Sequence, residues 1–455
     1  DTDRANNQDQ ASGLIARARE TKLRPMVVAE WIRWLSKEAN GAVSFQYDQS
    51  WLDWSPAFAI SISLPLRETP YSGDPVVAVF DNLLPDNPNI RRRVAERMGA
   101  QGADYFSLLE AIGRDCVGAM QFLPESAPQD VEPYIRGEPV SDQEIEALLA
   151  NLAAAPLGVD REQEFRISIA GAQEKTALLR YEGRWMRPIG TTPTTHLLKP
   201  QLGEIPTAFG PIDMAASVDN EHYCLKLLEA FGLNVASTEI VTFGNRRVLV
   251  VERFDRLWRN SSHLLRLPQE DCCQALGIPS ARKYQNNGGP SAVDILMLLQ
   301  RADEPQKDQA AFFKSQILFW LIGATDGHGK NFSIFLKPEG RYALTPFYDV
   351  LSAQPAFDKR QIPHNKYKLA MSAGKNRHYR VLEMMGRHFV ETGKAAGLGV
   401  TIMRNVIAEL LDLASSAPDK TRAQMPNDFA HPVHESIAVA LTKRLPHLVS
   451  ALDDL

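Results

Sequence analysis

LIGATDGHGKNFSIF, residues 321–335, carries the reading that decides the fold. An apolar run ends at Leu321 and Ile322, turns polar through Asp326, Gly327, His328, Gly329, Lys330 and Asn331, and returns to Phe332, Ile334 and Phe335. Apolar flanks on both sides describe a rigid scaffold that presents a polar turn. Asp326 lies at the end of a helix-like run, and Asn331 follows five positions later. Asp349, in LTPFYDV, follows the strand-like RYALT. Phosphoryl transfer needs such a set. One carboxylate must orient an acceptor hydroxyl and take its proton. An amide oxygen and a second carboxylate must hold magnesium, a hard ion that prefers oxygen ligands. Gly327 and Gly329 let backbone approach phosphate closely. Alone, Asp326 and Asn331 equally describe an Asp-Gly turn with a cap, so the rest of the chain must supply nucleotide contacts.

Upstream, RISIAGAQEKTALL (166–179) sets Ala170, Gly171 and Ala172 between two β-like runs, followed by Gln173, Glu174 and Lys175. Small residues there allow N–H groups to face phosphate oxygens. The loop is neither a Walker loop nor a GxGxxG loop, and by itself also reads as a tight strand-to-strand turn. Lys199 ends the run THLLK, where an ammonium can point into a cleft and pair with phosphates. In VLVVERFDR (248–256) the backbone of Glu252, Arg253 and Phe254 is placed to receive adenine. Each signal has a plain structural alternative. Their order is more specific: small-residue loop, lysine strand, apolar strand with an acidic end, helix, Asp–x4–Asn, then Asp. That is the order of kinase architecture, and it predicts an α+β, bilobal, protein-kinase-like fold.

The 455 residues, 44% of them hydrophobic, suffice for two or three cores. We expect a flexible extension over 1–24, an α+β subdomain over 25–125, and a linker with a short helix over 126–165. A strand-rich nucleotide lobe over 166–270 and a helical lobe over 271–455 complete the division. Strands are expected at GAVSFQY (41–47), AISISLPL (59–66) and RISIAG, and helices at 217–231, 291–301, 308–323, 379–396, 400–414 and 433–452. The net charge of -5 argues against wholesale coating of nucleic acid. Cys116, Cys224, Cys272 and Cys273 lack zinc-ligand spacing, which fits a reduced, cytoplasmic setting. No apolar stretch is long enough to span a bilayer, and no signal-peptide core is seen. HExxH is absent, and no cysteine shows a basic partner, which disfavours protease and thiol chemistry. Two rivals remain. Asp326–x–His328–x–x–Asn331 also fits a lipid or small-molecule kinase of the phosphoinositide type. A catalytically idle repressor is the other.

Several longer motifs resemble the HipA family of bacterial serine/threonine kinases, the toxin half of the HipA–HipB toxin–antitoxin pair. They include FDNLLPDNP, IGRDCVGAM, FRISIAGAQEKTALL, TPTTHLLK, SVDNEHYC, VERFDR, LRLPQEDCCQALG, LIGATDGHGKNFS and LTPFYD, spread from about residue 25 to beyond 430. The resemblance implies ATP and Mg2+ as cofactors, with Asp326 as proton acceptor and Asn331 and Asp349 as magnesium ligands. It implies that Lys199 contacts the ATP phosphates, that residues 170–175 wrap over them, and that His328 and Lys330, flanking Gly329, lie beside them. Glu252 and Phe254 would frame the adenine. Ser168 would be an inactivating self-phosphorylation site. The implied partners are a helix-turn-helix, HipB-like antitoxin dimer and, mainly through it, operator DNA, with Lys394 as a possible direct contact. The implied substrate is glutamyl-tRNA synthetase, whose modification halts growth. No membrane partner is implied.

Overall fold

Alternating apolar residues build the first sheet. The computed structural model describes residues 21–455 apart from 28–29, 32, 125–134, 153, 155, 159–166, 169 and 172. Thr21–Val27 lies between Glu30–Trp31 and Arg33–Lys37, and the sheet continues through Val43–Tyr47 to Tyr71–Ser72. Gln121–Pro124 also pairs with Thr21–Val27, antiparallel. Thr21 to Arg24, expected in the leading extension, are therefore strand residues; residues 1–20 of that extension lie outside the described set.

AISISLPL does not form the expected strand. Its backbone donors go to side chains instead: Ile60 N–H donates to the Tyr47 hydroxyl and Ile62 N–H to Glu270 Oε1. The Ser63 hydroxyl donates to the Gln274 carbonyl. Alternation here reflects a segment pinned between two units rather than a ladder.

The second sheet is antiparallel. We label its strands β1 (Thr176–Tyr181), β2 (Arg184–Pro188), β3 (His196–Pro200), β4 (Thr238–Phe243) and β5 (Arg246–Glu252). The order is β4-β5-β3-β1-β2, with Gly137–Pro139 at the far edge. In β5, Val248 and Val250 join Leu178 and Leu198 in one small core, while Leu249 and Val251 join Val218 and Ala236 in another. Burial on both faces explains the unbroken apolar run VLVV. RISIAG forms no strand among its described residues; Gly171 makes a single parallel bridge to Pro85.

Helix α1 (Ser217–Ala230) follows β3 and is buried on nearly all faces. The hydroxyl of its Tyr223 meets His434 Nδ1 at 2.8 Å, tying it to the helical lobe. That lobe contains a small sheet of β6 (Gln269–Asp271), β7 (Ser333–Leu336) and β8 (Tyr342–Leu344). Around it lie α2 (Pro305–Ile322), α3 (Val400–Leu413) and α4 (His431–Val449). Helix α2 is buried along most of its length and ends at Gly323, φ +70°, where a Cβ would lie 1.9 Å from the Tyr367 hydroxyl. Only glycine fits there. The helix expected over 379–396 begins at Gly386. His378–Arg380 is instead a strand, and the Val381 amide and carbonyl bond to the Tyr367 carbonyl and Trp320 indole.

The largest core runs from Leu35, Phe45 and Phe80 of the N-terminal unit to Phe312, Trp320 and Ile437 of the helical lobe. The N-terminal unit is thus fused to the helical lobe by one continuous apolar interior.

Candidate active site

Three elements converge on Lys199, the penultimate residue of β3. Its ammonium lies 2.7 Å from Glu221 Oε1 on α1 and 2.7 Å from Asp349 Oδ1. Lys199 and Glu221 are only 5% and 3% exposed. Burial opposes the charge on Lys199, but Asp349 and Glu221 outweigh it and hold the ammonium firmly protonated. Burial likewise opposes ionisation of Asp349, yet Lys199 and then Lys175 pull its carboxyl well below the usual range. Glu221 is the weaker acid of the two, raised by burial against the pull of Lys199.

Asp349 has φ +57°, a left-handed conformation unusual for a residue with a side chain. Its neighbours hold it there. The Phe347 amide donates to the Asn234 carbonyl at 2.9 Å, and the Phe347 carbonyl accepts from Ala236 at 2.8 Å. The Tyr348 hydroxyl donates to the Lys330 carbonyl at 2.8 Å. The segment between α1 and β4 and the turn after α2 therefore fix the backbone that carries this carboxylate.

Asp326 follows α2 with its carboxylate exposed. Its carbonyl accepts from the His328 amide and from Asn331 Nδ2, both at 2.8 Å. The second bond uses the amide nitrogen of Asn331 and leaves Oδ1 as the acceptor of the group. The Tyr284 hydroxyl donates to Asp326 Oδ1 at 2.6 Å, and its ring meets His328 edge-on with centroids 4.9 Å apart. His328 is buried, its Nδ1 has no hydrogen-bond partner, and burial lowers its pKa toward the neutral imidazole. The Tyr284 contacts tie Asp326 to His328, and the Tyr348–Lys330 bond ties the segment bearing Asp349 to the same turn.

The described residues of the small-residue loop are tied to the end of β3 and to the N-terminal unit. Gly171 has φ +110°, and its carbonyl accepts from the Asp86 amide at 3.1 Å. Lys175 Nζ donates to the Ala170 carbonyl at 3.0 Å, and a Cβ on Gly171 would stand 2.5 Å from that nitrogen. Burial and the Lys199 charge bring Lys175 down to about 8. Gln173 Nε2 donates to the Pro200 carbonyl at 3.3 Å, and Glu174 pairs with Arg93 of the N-terminal unit at 2.8 Å. Ala172 lies outside the described residues. Ser168 is fully buried, and its hydroxyl donates to the Leu83 carbonyl at 2.8 Å. At the joint between lobes, Glu252 is exposed, and Phe254 packs against Phe335 and Tyr348 with centroids 5.9 and 5.6 Å away.

Two expectations need correction. Arg253 does not face the nucleotide position. Its guanidinium is buried against Asp255, Asp115, Thr194 and the Cys116 carbonyl, and its amide donates to Thr195. It belongs to an ion network centred on Asp115, where Arg256 and Arg266 also converge. Lys330 sits in the polar turn, but its ammonium is turned away. It donates to the Asn82 carbonyl and Oδ1 at 2.8 and 2.7 Å, with Asp271 at 3.3 Å and Asp86 at 3.4 Å. Four protein acceptors leave no face for phosphate, so Lys330 fastens the turn to the N-terminal unit. Lys394 lies apart from the pocket, exposed, donating to the Asp454 carbonyl at 2.7 Å.

Glu221, Asp86 and Tyr284 escaped the sequence reading. Glu221 had a signal: an acidic residue one turn into an apolar helix just after a lysine strand, the spacing of a kinase lysine–glutamate pair. Asp86 lies within FDNLLPDNP, but neither it nor Tyr284 shows a local pattern that assigns it to the site.

Among the described residues, no group of three or more His, Cys, Asp or Glu side chains could hold a metal alone. One carboxylate and one amide oxygen suit an ion that keeps water and takes the rest of its shell from phosphates.

A strand-rich lobe with a buried lysine–glutamate pair, set over a helical lobe bearing an Asp–x4–Asn turn and a second aspartate, defines the class as a kinase. Residues 29–123 match the HipA N-terminal domain and residues 167–417 the HipA-like C-terminal domain. The chain belongs to the HipA family. It is 34% identical to the protein Y4mE of Sinorhizobium fredii over 391 residues, 84% of this chain and 87% of that one. It is 31% identical to the serine/threonine-protein kinase toxin HipA of Shewanella oneidensis over 326 residues, 68% and 70% of the two chains. The fold matches HipA of Shewanella oneidensis MR-1, solved with HipB and operator DNA, with a TM-score of 0.77 and 24% identity, covering 95% of this chain and 99% of that one.

Proposed function

We propose that this kinase transfers the γ-phosphoryl group of ATP to a serine or threonine hydroxyl of another protein, as the toxin half of a toxin–antitoxin pair. The observation that carries the reading is the buried Lys199 ammonium held between Glu221 and Asp349. Glu221 orients Lys199 toward the phosphates. Asp349 and the amide oxygen of Asn331 would hold magnesium, which supplies charge neutralisation at the transferring phosphate. Asp326 accepts the hydroxyl proton. Lys175 and the backbone of Ala170 to Lys175 close over the phosphates, with Gly171 supplying the conformation. Phe254 and the backbone at Glu252 frame the base.

Ser168 is the proposed site of self-modification. Its hydroxyl is buried and bonded to Leu83, so it reaches a phosphate donor only after this segment leaves its seat. A phosphate of about -1.5 to -2 charge has no room to return. The modified segment stays out, and the loop that covers ATP goes with it.

The substrate proposed is a translation factor such as glutamyl-tRNA synthetase, and the result of its modification is growth arrest and persistence. The partners proposed are a HipB-like antitoxin dimer and, chiefly through it, operator DNA, so that the complex represses its own operon. Lys394, with Arg387 and Lys375 lining the same surface cleft, is the place on this chain for direct DNA contact. The reading is tested by phosphoproteomics of cells expressing this chain against cells expressing Asp326→Gln. A small set of proteins phosphorylated only by the native chain supports it. Identical phosphoproteomes would overturn it.

A further inference from the structure

The pocket contains a phenol that the phosphotransfer scheme does not use. Tyr284 lies 42 positions before Asp326, yet its hydroxyl donates to Asp326 Oδ1 at 2.6 Å. We propose that Tyr284 is a positioning residue for Asp326, and that the N-terminal unit sets it in place through Lys283 and Asp86. The proposal rests on the reading of Asp326 as the proton acceptor.

The segment carrying Tyr284 is fastened on every side. The Tyr284 carbonyl accepts from Asn287 and Gly289, each at 2.9 Å, which closes a tight turn beneath the ring. A Cβ on Gly289 would lie 2.2 Å from the Arg282 carbonyl, so the turn admits no larger residue. The Lys283 carbonyl accepts from the Gly329 amide at 3.2 Å, joining this segment to the turn that bears Asp326. Lys283 Nζ meets Asp86 Oδ2 at 2.7 Å, and the side chains are only 13% and 9% exposed. Asp86 in turn bonds the Gly171 carbonyl through its amide. One residue of the N-terminal unit therefore touches both the phosphate-covering loop and the segment that holds the proton acceptor.

The chemistry follows from the two oxygens of a carboxylate. With Oδ1 occupied by the phenol, Oδ2 faces the acceptor hydroxyl in a fixed direction. A hydrogen bond to a charged acceptor is short, strong and directional. Burial and the neighbouring Asp326 charge both raise the Tyr284 pKa, so the phenol remains a donor across the working range.

The test uses the full chain with magnesium-ATP, read as ADP released per second and as ATP affinity by titration. Tyr284→Phe keeps the ring against His328 and removes only the hydroxyl. It should lower kcat about 10-fold or more, leave KM for ATP within about twofold, and leave the melting temperature nearly unchanged. Lys283→Met, which cuts the Asp86 tie but keeps the phenol, should lower kcat less than Tyr284→Phe and also leave KM for ATP alone. Full activity in Tyr284→Phe would overturn the proposal, and so would a gain in activity, which would make the phenol a plug. Phosphate found on Tyr284 after incubation with ATP would overturn it too. Asp326→Asn separates the two levels. If that variant turns over normally, the reading of Asp326 fails. If it is dead while Tyr284→Phe is fully active, only the positioning role fails.

Discussion

Replacing Glu221 by Ala removes one of the two carboxylates that hold Lys199. Both members of the pair are buried, with the oxygen 2.7 Å from the ammonium. Removing one partner of such a pair typically costs about 3–5 kcal/mol, because the other charge is left without compensation. Here Asp349 still holds the ammonium at 2.7 Å, so the cost falls at the lower end, about 3 kcal/mol. For a cooperative unit of about 150–250 residues this lowers the melting temperature by roughly 6–12 °C. Activity suffers more. Without Glu221 nothing draws the ammonium away from Asp349, so the Lys199–Asp349 pair already present in the native chain becomes harder for magnesium-ATP to open. We expect kcat/KM for ATP to fall about 100-fold, since misplacement of a positioning group by about 1 Å has that effect. Thermal unfolding by circular dichroism and ADP release measure the two effects. Lys199→Met combined with Glu221→Leu also takes the ammonium from Asp349, so it should recover only part of the stability while remaining inactive. Unchanged melting and turnover in Glu221→Ala would refute the reasoning.

Other predictions concern the loop, the serine and the ion network. Gly171→Ala places a Cβ at φ +110° beside Lys175 Nζ, and should weaken ATP binding at least 10-fold by calorimetry, at a cost of about 1–3 kcal/mol in stability. Lys175 carries a folded pKa of about 8, below its ordinary value, so it is an ammonium below that pH and neutral above it. ATP affinity should therefore fall as pH rises from 7 to 9, and Lys175→Met should flatten that dependence. Ser168→Ala strands the Leu83 carbonyl at a cost of about 1–3 kcal/mol but keeps ATP binding, whereas Ser168→Asp abolishes it. Arg253→Met breaks a buried network and should cost about 3–5 kcal/mol in denaturant titration, with no ATP-specific loss if the protein is kept folded.

The strands and helices were legible where periodicity was strong. The VLVV strand, the Lys199 strand and the helix before Asp326 all announce themselves because each is buried against a defined face. AISISLPL misled because its alternation serves contacts to Glu270 and Gln274, more than 200 positions away. The site was legible in its local motifs: Asp326 and Asn331 share one turn, and Gly171 marks its own loop. Arg253 was expected through its backbone and Lys330 through the family resemblance, and neither signal says where the side chain goes. Both lie in motifs at the site's edge, but a side chain follows the nearest buried acceptor, and for these residues Asp115 and Asn82 are closer than the pocket. The roles of Tyr284 and Asp86 were not legible because only the tertiary fold brings Tyr284 beside Asp326 and Asp86 beside Lys283.

The account depends most directly on transfer of label from [γ-32P]ATP by the purified chain with magnesium, compared with its Asp326→Asn form. Transfer to protein or water by the native chain is expected, with a loss of about 1,000-fold in the variant and ATP affinity retained. Equal transfer by both forms would contradict it.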